Sequence, residues 1–165
     1  MTRAEAIIAA LSRRGRTLAV AESLTGGAVS AELVSVPGAS AVLRGAVVAY
    51  DTALKTSLLG VPRELLDRHG PVHAEVAQLM AEGVRGAAAV GEHPADMGVA
   101  TTGVAGPDTQ DGAPVGLVFI AVADAAGTHV RELRLSGDRA AIRRQAVDAA
   151  LELVVDRLAG SAPNT

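Results

Sequence analysis

Apolar residues follow two spacings along the chain, one typical of helices and one typical of buried strands. The first helical pattern begins near Thr2 and Glu5, which have the separation of a capping box. Short apolar runs bounded by polar residues or glycine predict strands. The predicted helices are about 4–14, 28–34, 52–59, 62–69, 73–90 and 139–158, and the predicted strands are about 17–21, 43–50, 96–101, 115–123 and 129–135. Because strands alternate with helices and the last two form a hairpin, we expect a layered α/β fold with a mixed sheet.

Length and composition favour one soluble domain. The 165 residues are 49% hydrophobic with a net charge of -3, and we expect a domain over 1–160 with a flexible tail at 161–165. The acidic balance and only two aromatic residues argue against a nucleic-acid partner. The lack of cysteine excludes disulfides and thiolate nucleophiles. No segment reads as an export signal or a membrane span, so we expect a cytoplasmic protein without a membrane partner.

The segment after the first predicted strand combines hydroxyl side chains with two consecutive glycines. Ser23 and Thr25 supply the hydroxyls, and Gly26 and Gly27 let the backbone approach a ligand where the next helix begins. Unpaired amides at a helix N-terminus attract phosphate or stabilise an oxyanion, and Ser23 is a candidate nucleophile. The alternative is an ordinary N-cap followed by a flexible turn.

A lysine and a tyrosine follow the second predicted strand. Lys55 falls near the start of a helix that Asp51 can cap, where the positive helix end and some burial would lower the lysine pKa. A neutral lysine can accept the proton of a serine hydroxyl, as in Ser-Lys dyads. The alternative is a solvated lysine beside Asp51. Tyr50 ends its strand where active sites of open sheets gather, and its alternative is a half-buried strand end.

Two later segments are also candidates for ligand binding. The stretch Thr101–Pro107 places threonines at a strand end before glycines, which predicts a pocket wall, although such threonines are often only strand formers. Arg139 and Arg143 lie one turn apart at the start of the last helix, where paired positive charges need a negative partner. That partner is either a bound phosphate or a surface carboxylate such as Asp138. The four histidines show no metal-ligand spacing.

Taken in order, six segments of the chain resemble the C-terminal domain of competence-damage-inducible protein A (CinA), the nicotinamide-nucleotide amidase family. They are AESLTGG (21–27), VAYDTALKTSLLGV (48–61), GPVHAEVAQLMAEG (70–83), TTGVAGP (101–107), PVGLVFIAVA (114–123) and GDRAAIRRQAVDAAL (137–151). They cover nearly the whole chain, and six motifs in one order are far more specific than any one of them.

The resemblance implies an amidohydrolase that converts nicotinamide mononucleotide to nicotinate mononucleotide and ammonia without a metal or cofactor. It implies a three-layer α/β/α domain with a mixed, mostly parallel sheet. By motif, Ser23 would be the nucleophile, Lys55 its general base and Tyr50 an orienting or proton-handling partner. The residues implied to bind the substrate and its oxyanion are Thr25, Gly26, Gly27, Thr102, Gly103, Ala105 and Gly106, with Arg139 at the phosphate.

The chain departs from the family pattern in three places. Leu24 stands where many relatives have cysteine, which leaves the proposed nucleophile intact. The loop 108–112 lacks a glycine cluster common in relatives, so substrate preference stays open. Larger relatives add an N-terminal domain similar to molybdopterin-binding proteins, and we expect any activity of that domain to be absent from these residues.

Two other functions are compatible with the same motifs. A non-catalytic module could bind a nucleotide phosphate through Arg139 and the glycine loops without using Lys55. A protein-interaction role in a competence or stress pathway is the second. The apolar final helix also makes a homodimer the expected assembly.

Overall fold

The computed structural model describes residues 1–160, which form one layered α/β unit. In chain order the elements are α1 (Arg3–Arg13), β1 (Leu18–Glu22), α2 (Ala28–Val34), β2 (Leu43–Val48), α3 (Thr52–Leu59), α4 (Arg63–His69), α5 (Ala74–Ala87), β3 (Met97–Gly103), β4 (Leu117–Asp124), β5 (Gly127–Arg134) and α6 (Arg139–Gly160). The predicted tail at 161–165 lies outside the described residues. Within the described part, no helix has both the length and the apolar character needed to cross a membrane.

The five strands form one mixed sheet in the order β2-β1-β3-β4-β5. Strand β1 pairs in parallel with both β2 and β3, whereas β4 pairs antiparallel with β3 and with β5. Strand β4 therefore runs opposite to the other four. Helices α1, α2 and α6 cover one face of the sheet, and α3, α4 and α5 cover the other. The predicted α/β/α fold with a mixed, mostly parallel sheet is confirmed.

Alternation along the strands gives the two sheet faces different side chains. In β1, Leu18 and Val20 enter the core beneath α1 and α6, while Ala19 and Ala21 enter the core beneath α5. The α5 face is lined by small residues, and α5 consequently lies close to the sheet. At Gly98 an added Cβ would sit 2.0 Å from the Ala81 carbonyl oxygen, so no larger residue fits there without moving α5.

Most element boundaries agree with the sequence pattern, and the differences have local causes. The Thr2–Glu5 capping box is present, and the Asp138 side chain accepts from the amide of Ala141 at the start of α6. Strand β2 ends at Val48, two residues early, whereas β3 continues to Gly103 because its last residues pair with β4.

The histidines that bracket the α4–α5 connection lie closer together than the sequence implies. His69 ends α4 and His73 caps α5, so the chain breaks between them as predicted. Their rings nevertheless stack with centroids 4.4 Å apart. The turn through Gly70, which has a φ of 71°, brings the two helix ends together.

Candidate active site

Three parallel strands end at one edge of the sheet and bring the predicted catalytic residues together. Ser23 follows β1 directly, Tyr50 lies just beyond β2, and Thr102 belongs to the end of β3. Carboxyl ends of neighbouring parallel strands share one sheet edge, which is where ligand sites of open α/β sheets form. The sites that the sequence pattern predicted separately are thus one site.

The side chains of Ser23 and Lys55 are in direct contact. Lys55 lies on α3 and is 1% exposed, and its Nζ donates to the Ser23 hydroxyl at 3.0 Å. The same Nζ donates to the carbonyl oxygen of Ala49 at 2.7 Å, which fixes the amine in place. Asp51 caps α3 by accepting from the Ala53 amide, so the helix start that positions Lys55 is itself anchored.

Burial lowers the pKa of Lys55 from its ordinary value of 10.5 to about 8. An ammonium group removed from water is less stable than a neutral amine, and the negative charge of Asp51 offsets only part of that penalty. At pH 7 about one molecule in ten then carries a neutral amine, against about one in three thousand for an ordinary lysine. The depressed pKa is therefore as expected, with burial as its main cause.

Sequence reasoning missed Glu22, the last residue of β1. Its side chain is fully buried and accepts three backbone amides at the start of α2, from Gly27 at 3.0 Å, Val29 at 3.1 Å and Ser30 at 2.9 Å. The protein's own carboxylate thus occupies the N-terminus of this helix. The signal in the sequence was an acidic residue five positions before the N-cap residue Gly27, a spacing that no standard capping motif uses.

Three residues predicted to bind substrate, Thr25, Gly26 and Gly27, lie in the turn after Ser23 and outside the cleft. Thr25 is fully buried and its hydroxyl lies 2.8 Å from that of Thr101, while the amides of Gly26 and Gly27 donate to Ser23 and Glu22. None of the three is among the described residues that line the cleft. Their position supports the Ser23 turn, and direct substrate contact by them stays a prediction.

The two arginines of α6 have different partners. Arg139 donates to the Gly106 carbonyl oxygen at 2.7 Å and to the Tyr50 hydroxyl at 2.9 Å, across the mouth of the cleft. Arg143 donates to two carbonyl oxygens of the serine turn, those of Leu24 and Thr25, both at 2.9 Å. Neither contact is with a surface carboxylate. Tyr50 is 60% exposed, so the alternative of a half-buried strand end does not hold, and its side chain lines the cleft.

A cleft of about 190 Å³ opens beside Ser23. Its walls are Ser23, Leu24, Tyr50, Pro71, Val72, Thr102, Gly103, Val104, Ala105, Gly106, Asp108, Gln110 and Arg139. Thr102 and Gly103 at the end of β3 and Ala105 and Gly106 in the following loop, all predicted to bind substrate, line the cleft, and the Thr102 hydroxyl donates to the Pro71 carbonyl oxygen at 2.7 Å.

The loop that departs from the family pattern forms a small hairpin at the rim of the cleft. Gln110 and Ala113 exchange backbone hydrogen bonds, and the two residues between them, Asp111 and Gly112, have positive φ angles of 48° and 79°. Asp-Gly is a preferred pair for such a two-residue turn. Asp108 and Gln110 from this loop line the cleft, so it presents polar side chains to any ligand.

Taken together, these contacts provide a hydroxyl next to an amine of lowered pKa, at the floor of a polar cleft with a guanidinium at its mouth. Such an arrangement can activate a serine for attack on a carbonyl carbon and can hold an anionic group nearby. Lys55 is also the only lysine in the chain, which makes it the one side-chain amine available for this chemistry.

Comparison with known proteins places the chain in a family. The model of the CinA C-terminal domain matches residues 1–158. A CinA-like protein of Frankia casuarinae is 48% identical over 154 residues, which is 93% of this chain and 34% of that protein. A CinA-like protein of Gloeobacter violaceus is 49% identical over 156 residues, 93% of this chain and 35% of that protein. The chain thus spans about a third of the length of these relatives.

Solved structures agree with the sequence relatives. The competence/damage inducible protein CihA of Agrobacterium tumefaciens has a TM-score of 0.86 at 34% identity, with 93% of this chain and 92% of that chain covered. A CinA superfamily protein of Klebsiella pneumoniae has a TM-score of 0.88 at 31% identity, with 96% of each chain covered. The family expected from the motifs is confirmed: this chain belongs to the CinA C-terminal domain family.

Proposed function

We propose that the protein is an amidohydrolase that converts nicotinamide mononucleotide to nicotinate mononucleotide and ammonia through an acyl-enzyme on Ser23. The observation that supports this most directly is the 3.0 Å contact between the Ser23 hydroxyl and the buried amine of Lys55, whose pKa is lowered to about 8. The cleft and the family membership described above are consistent with a small-molecule substrate.

Acylation begins when the neutral Lys55 amine accepts the proton of the Ser23 hydroxyl as its oxygen attacks the carboxamide carbon. The C–O bond forms and the carbonyl electron pair moves to oxygen, giving a tetrahedral oxyanion. When that oxyanion collapses, the C–N bond breaks and the leaving nitrogen takes the proton back from Lys55 as ammonia. The Ala49 carbonyl oxygen keeps the amine aimed at Ser23 throughout.

Deacylation repeats the same proton transfer with water. Lys55, neutral again, accepts a proton from a water that attacks the acyl carbon, and the ester bond to Ser23 then breaks. The proton returns to the serine oxygen, and nicotinate mononucleotide is released. Backbone amides near Ser23 are candidates for oxyanion donors. Among the described residues, the amides of Leu24 and Ala105, which both line the cleft, donate to no protein acceptor.

Arg139 is the proposed contact for the substrate phosphate. Its guanidinium reaches the cleft mouth, and in the absence of substrate its donors are held by Gly106 and Tyr50. A phosphate offers stronger, charge-assisted bonds than a neutral carbonyl or phenol oxygen and would replace them. At about 190 Å³ the cleft is smaller than ligand pockets of roughly 300–1,000 Å³, so the phosphate would extend toward this open rim.

The proposal is tested by measuring ammonia release from nicotinamide mononucleotide. We expect turnover by the wild-type protein, no detectable turnover by Ser23→Ala, and wild-type turnover by Ser57→Ala, a matched change at an exposed serine of α3. The pH profile of kcat/KM should rise with pH through a midpoint near 8 and lose that limb in Lys55→Ala.

Two results would reject the amidase proposal. If Ser23→Ala releases ammonia at the wild-type rate, Ser23 is not the nucleophile. If the wild-type protein binds the nucleotide without turning it over, and Lys55→Ala binds it equally well, the protein is the non-catalytic binding module instead.

A further inference from the structure

We propose that Arg143 is a positioning residue for this reaction, one that holds the turn after Ser23 so that the serine hydroxyl stays against Lys55. This inference rests on the proposed function, because it assumes that Ser23 is the reactive group. It assigns Arg143 a task different from that of Arg139, although both arginines lie on the same face of α6.

The turn that follows Ser23 has two backbone hydrogen bonds of its own, from the Gly26 amide to the Ser23 carbonyl oxygen at 3.1 Å and from the Ala28 amide to the Thr25 carbonyl oxygen at 3.2 Å, and neither binds the Leu24 carbonyl oxygen. Gly26 and Gly27 have φ angles of 61° and 97°, and glycine gains access to this region at the cost of backbone flexibility. A turn of this kind keeps one shape only when other groups bind its backbone.

On its N-terminal side Ser23 is fixed by the sheet. Its amide donates to the Thr101 carbonyl oxygen at 3.1 Å, and Glu22 before it belongs to β1. The far end of the turn is fixed by the Glu22 carboxylate, which accepts from Gly27. Leu24 and Thr25, the two residues directly after Ser23, lie between these anchors.

Arg143 binds this middle part. Its Nε donates to the Leu24 carbonyl oxygen and its Nη2 to the Thr25 carbonyl oxygen, both at 2.9 Å. Among the described residues, Arg143 is the only group that donates to the Leu24 oxygen. Hydrogen bonds from an ionised donor are stronger than neutral ones, so this pair restrains both peptide planes.

The location of Arg143 separates positioning from substrate contact. Arg139 lines the cleft, whereas Arg143 lines a groove on the other side of the turn, between α2 and α6, together with Ala28, Glu32 and Arg144. Arg143 therefore acts on the reacting atoms through the turn. Its loss should lower kcat and leave KM nearly unchanged, while loss of a phosphate contact would raise KM.

The two-carbonyl geometry requires arginine. The Nε and Nη2 donors point from one edge of a planar guanidinium to neighbouring carbonyl oxygens, and a lysine has a single nitrogen that cannot reproduce that fork. Arg143→Lys should keep the positive charge and the apolar stem but hold only one of the two peptide groups. This variant therefore separates the effect of the two-donor geometry from the effect of the positive charge.

The test compares Arg143→Met and Arg143→Lys with Arg144→Met, a matched change at the adjacent exposed arginine. Each protein is assayed for kcat and KM with nicotinamide mononucleotide. Each is also assayed for the rate at which a fluorophosphonate labels Ser23, a step in which the Ser23 oxygen bonds to phosphorus, Lys55 takes the proton and fluoride leaves. Circular dichroism and urea unfolding report whether each variant is folded.

We expect Arg143→Met to lower kcat and the labelling rate together by about 100-fold, because a displacement of about 1 Å is enough for such a loss. The KM should stay within about two-fold and the pH midpoint near 8, since Lys55 remains buried. Arg143→Lys should lose about 10-fold, and Arg144→Met should match the wild type. If Arg143→Met does not fold, the kcat and labelling rate of Arg143→Lys test the positioning role.

A folded Arg143 variant with the wild-type labelling rate would overturn the positioning role, and so would a raised KM with unchanged kcat. Failure of the proposed function looks different. In that case the wild-type protein is labelled at Ser23 but releases no ammonia from the nucleotide, and the labelling rates of the variants still test Arg143.

Discussion

In the proposed mechanism, Lys55 is the residue on which the chemistry of the site depends most. Fourteen of the fifteen basic side chains are guanidinium groups, which stay protonated in proteins, and the remaining one is the buried amine beside Ser23. Burying this amine costs folding free energy whenever it is charged. In the proposed mechanism, the protein therefore gives up stability at neutral pH for a base that functions there.

The variant Lys55→Met tests whether the buried amine lowers the free energy of unfolding. Because the pKa is about 8 in the folded protein and near 10.5 when unfolded, the unfolded chain binds more protons between these values, and stability rises with pH across that window. Below about pH 8 the folded protein bears the full free-energy cost of burying the Lys55 amine. Removing the amine should therefore stabilise the protein at pH 7, and the gain should shrink by about 2 kcal/mol by pH 9.5.

Urea unfolding of both proteins at the two pH values measures the change. Other titrating groups are common to the wild type and the variant, so they cancel in the difference. A gain that is the same at pH 7 and pH 9.5 would mean that Lys55 titrates normally in the folded protein.

The residues of the site differ in how far the sequence could reveal them. Ser23, Tyr50 and Lys55 follow strand ends or a helix start, so periodicity made each a separate candidate, and only the resemblance to a known family grouped them. Glu22 could not be recognised, because its three amide partners are brought to it only when the following turn folds back. The contacts of Arg143 span more than a hundred residues and depend on where α6 packs.

At the scale of elements, α2 is anchored to the sheet by a charge from the preceding strand. Glu22 satisfies three of the amides that a helix start leaves unpaired, and it does so from a fully buried position. A helix of seven residues has little stability of its own, so this contact and its packing fix where it begins.

Glu22→Gln should destabilise the protein by about 2 kcal/mol, because the amide keeps one acceptor oxygen and turns a donor toward backbone N–H groups. Glu32→Gln, a change at an exposed position of the same helix, should stay within about 0.5 kcal/mol. Denaturant unfolding distinguishes them. Equal stability of the two variants would show that the buried carboxylate does not hold α2.

For the whole molecule, the surface offers a different basis for association than the sequence indicated. The apolar residues of the final helix, α6, were expected to face either the core or an interface, and those that include Ile142, Ala146, Leu151 and Val154 are buried in the core. Three exposed apolar side chains, Val48, Leu54 and Leu58, lie on edge strand β2 and helix α3, and others among the described residues, such as Val34, Val115 and Val130, lie elsewhere.

A homodimer remains our prediction, now through the β2–α3 side. Light scattering coupled to gel filtration should give twice the chain mass for the wild type. Leu58→Asp should shift the protein toward the monomer, because a charge is costly in an apolar interface. Val90→Asp, at an exposed residue outside this side, serves as the control. A wild-type protein that elutes as a monomer at all concentrations would contradict the prediction.

The single lysine also gives the chain an unusual relation to proteases that cleave only after that residue. Such an enzyme has one peptide bond to cut, which would yield fragments 1–55 and 56–165. In the native fold that bond lies within α3, beside a side chain shielded from solvent. Cleavage therefore requires the helix to open, and the rate of cleavage reports how often Ser23 and Lys55 come apart.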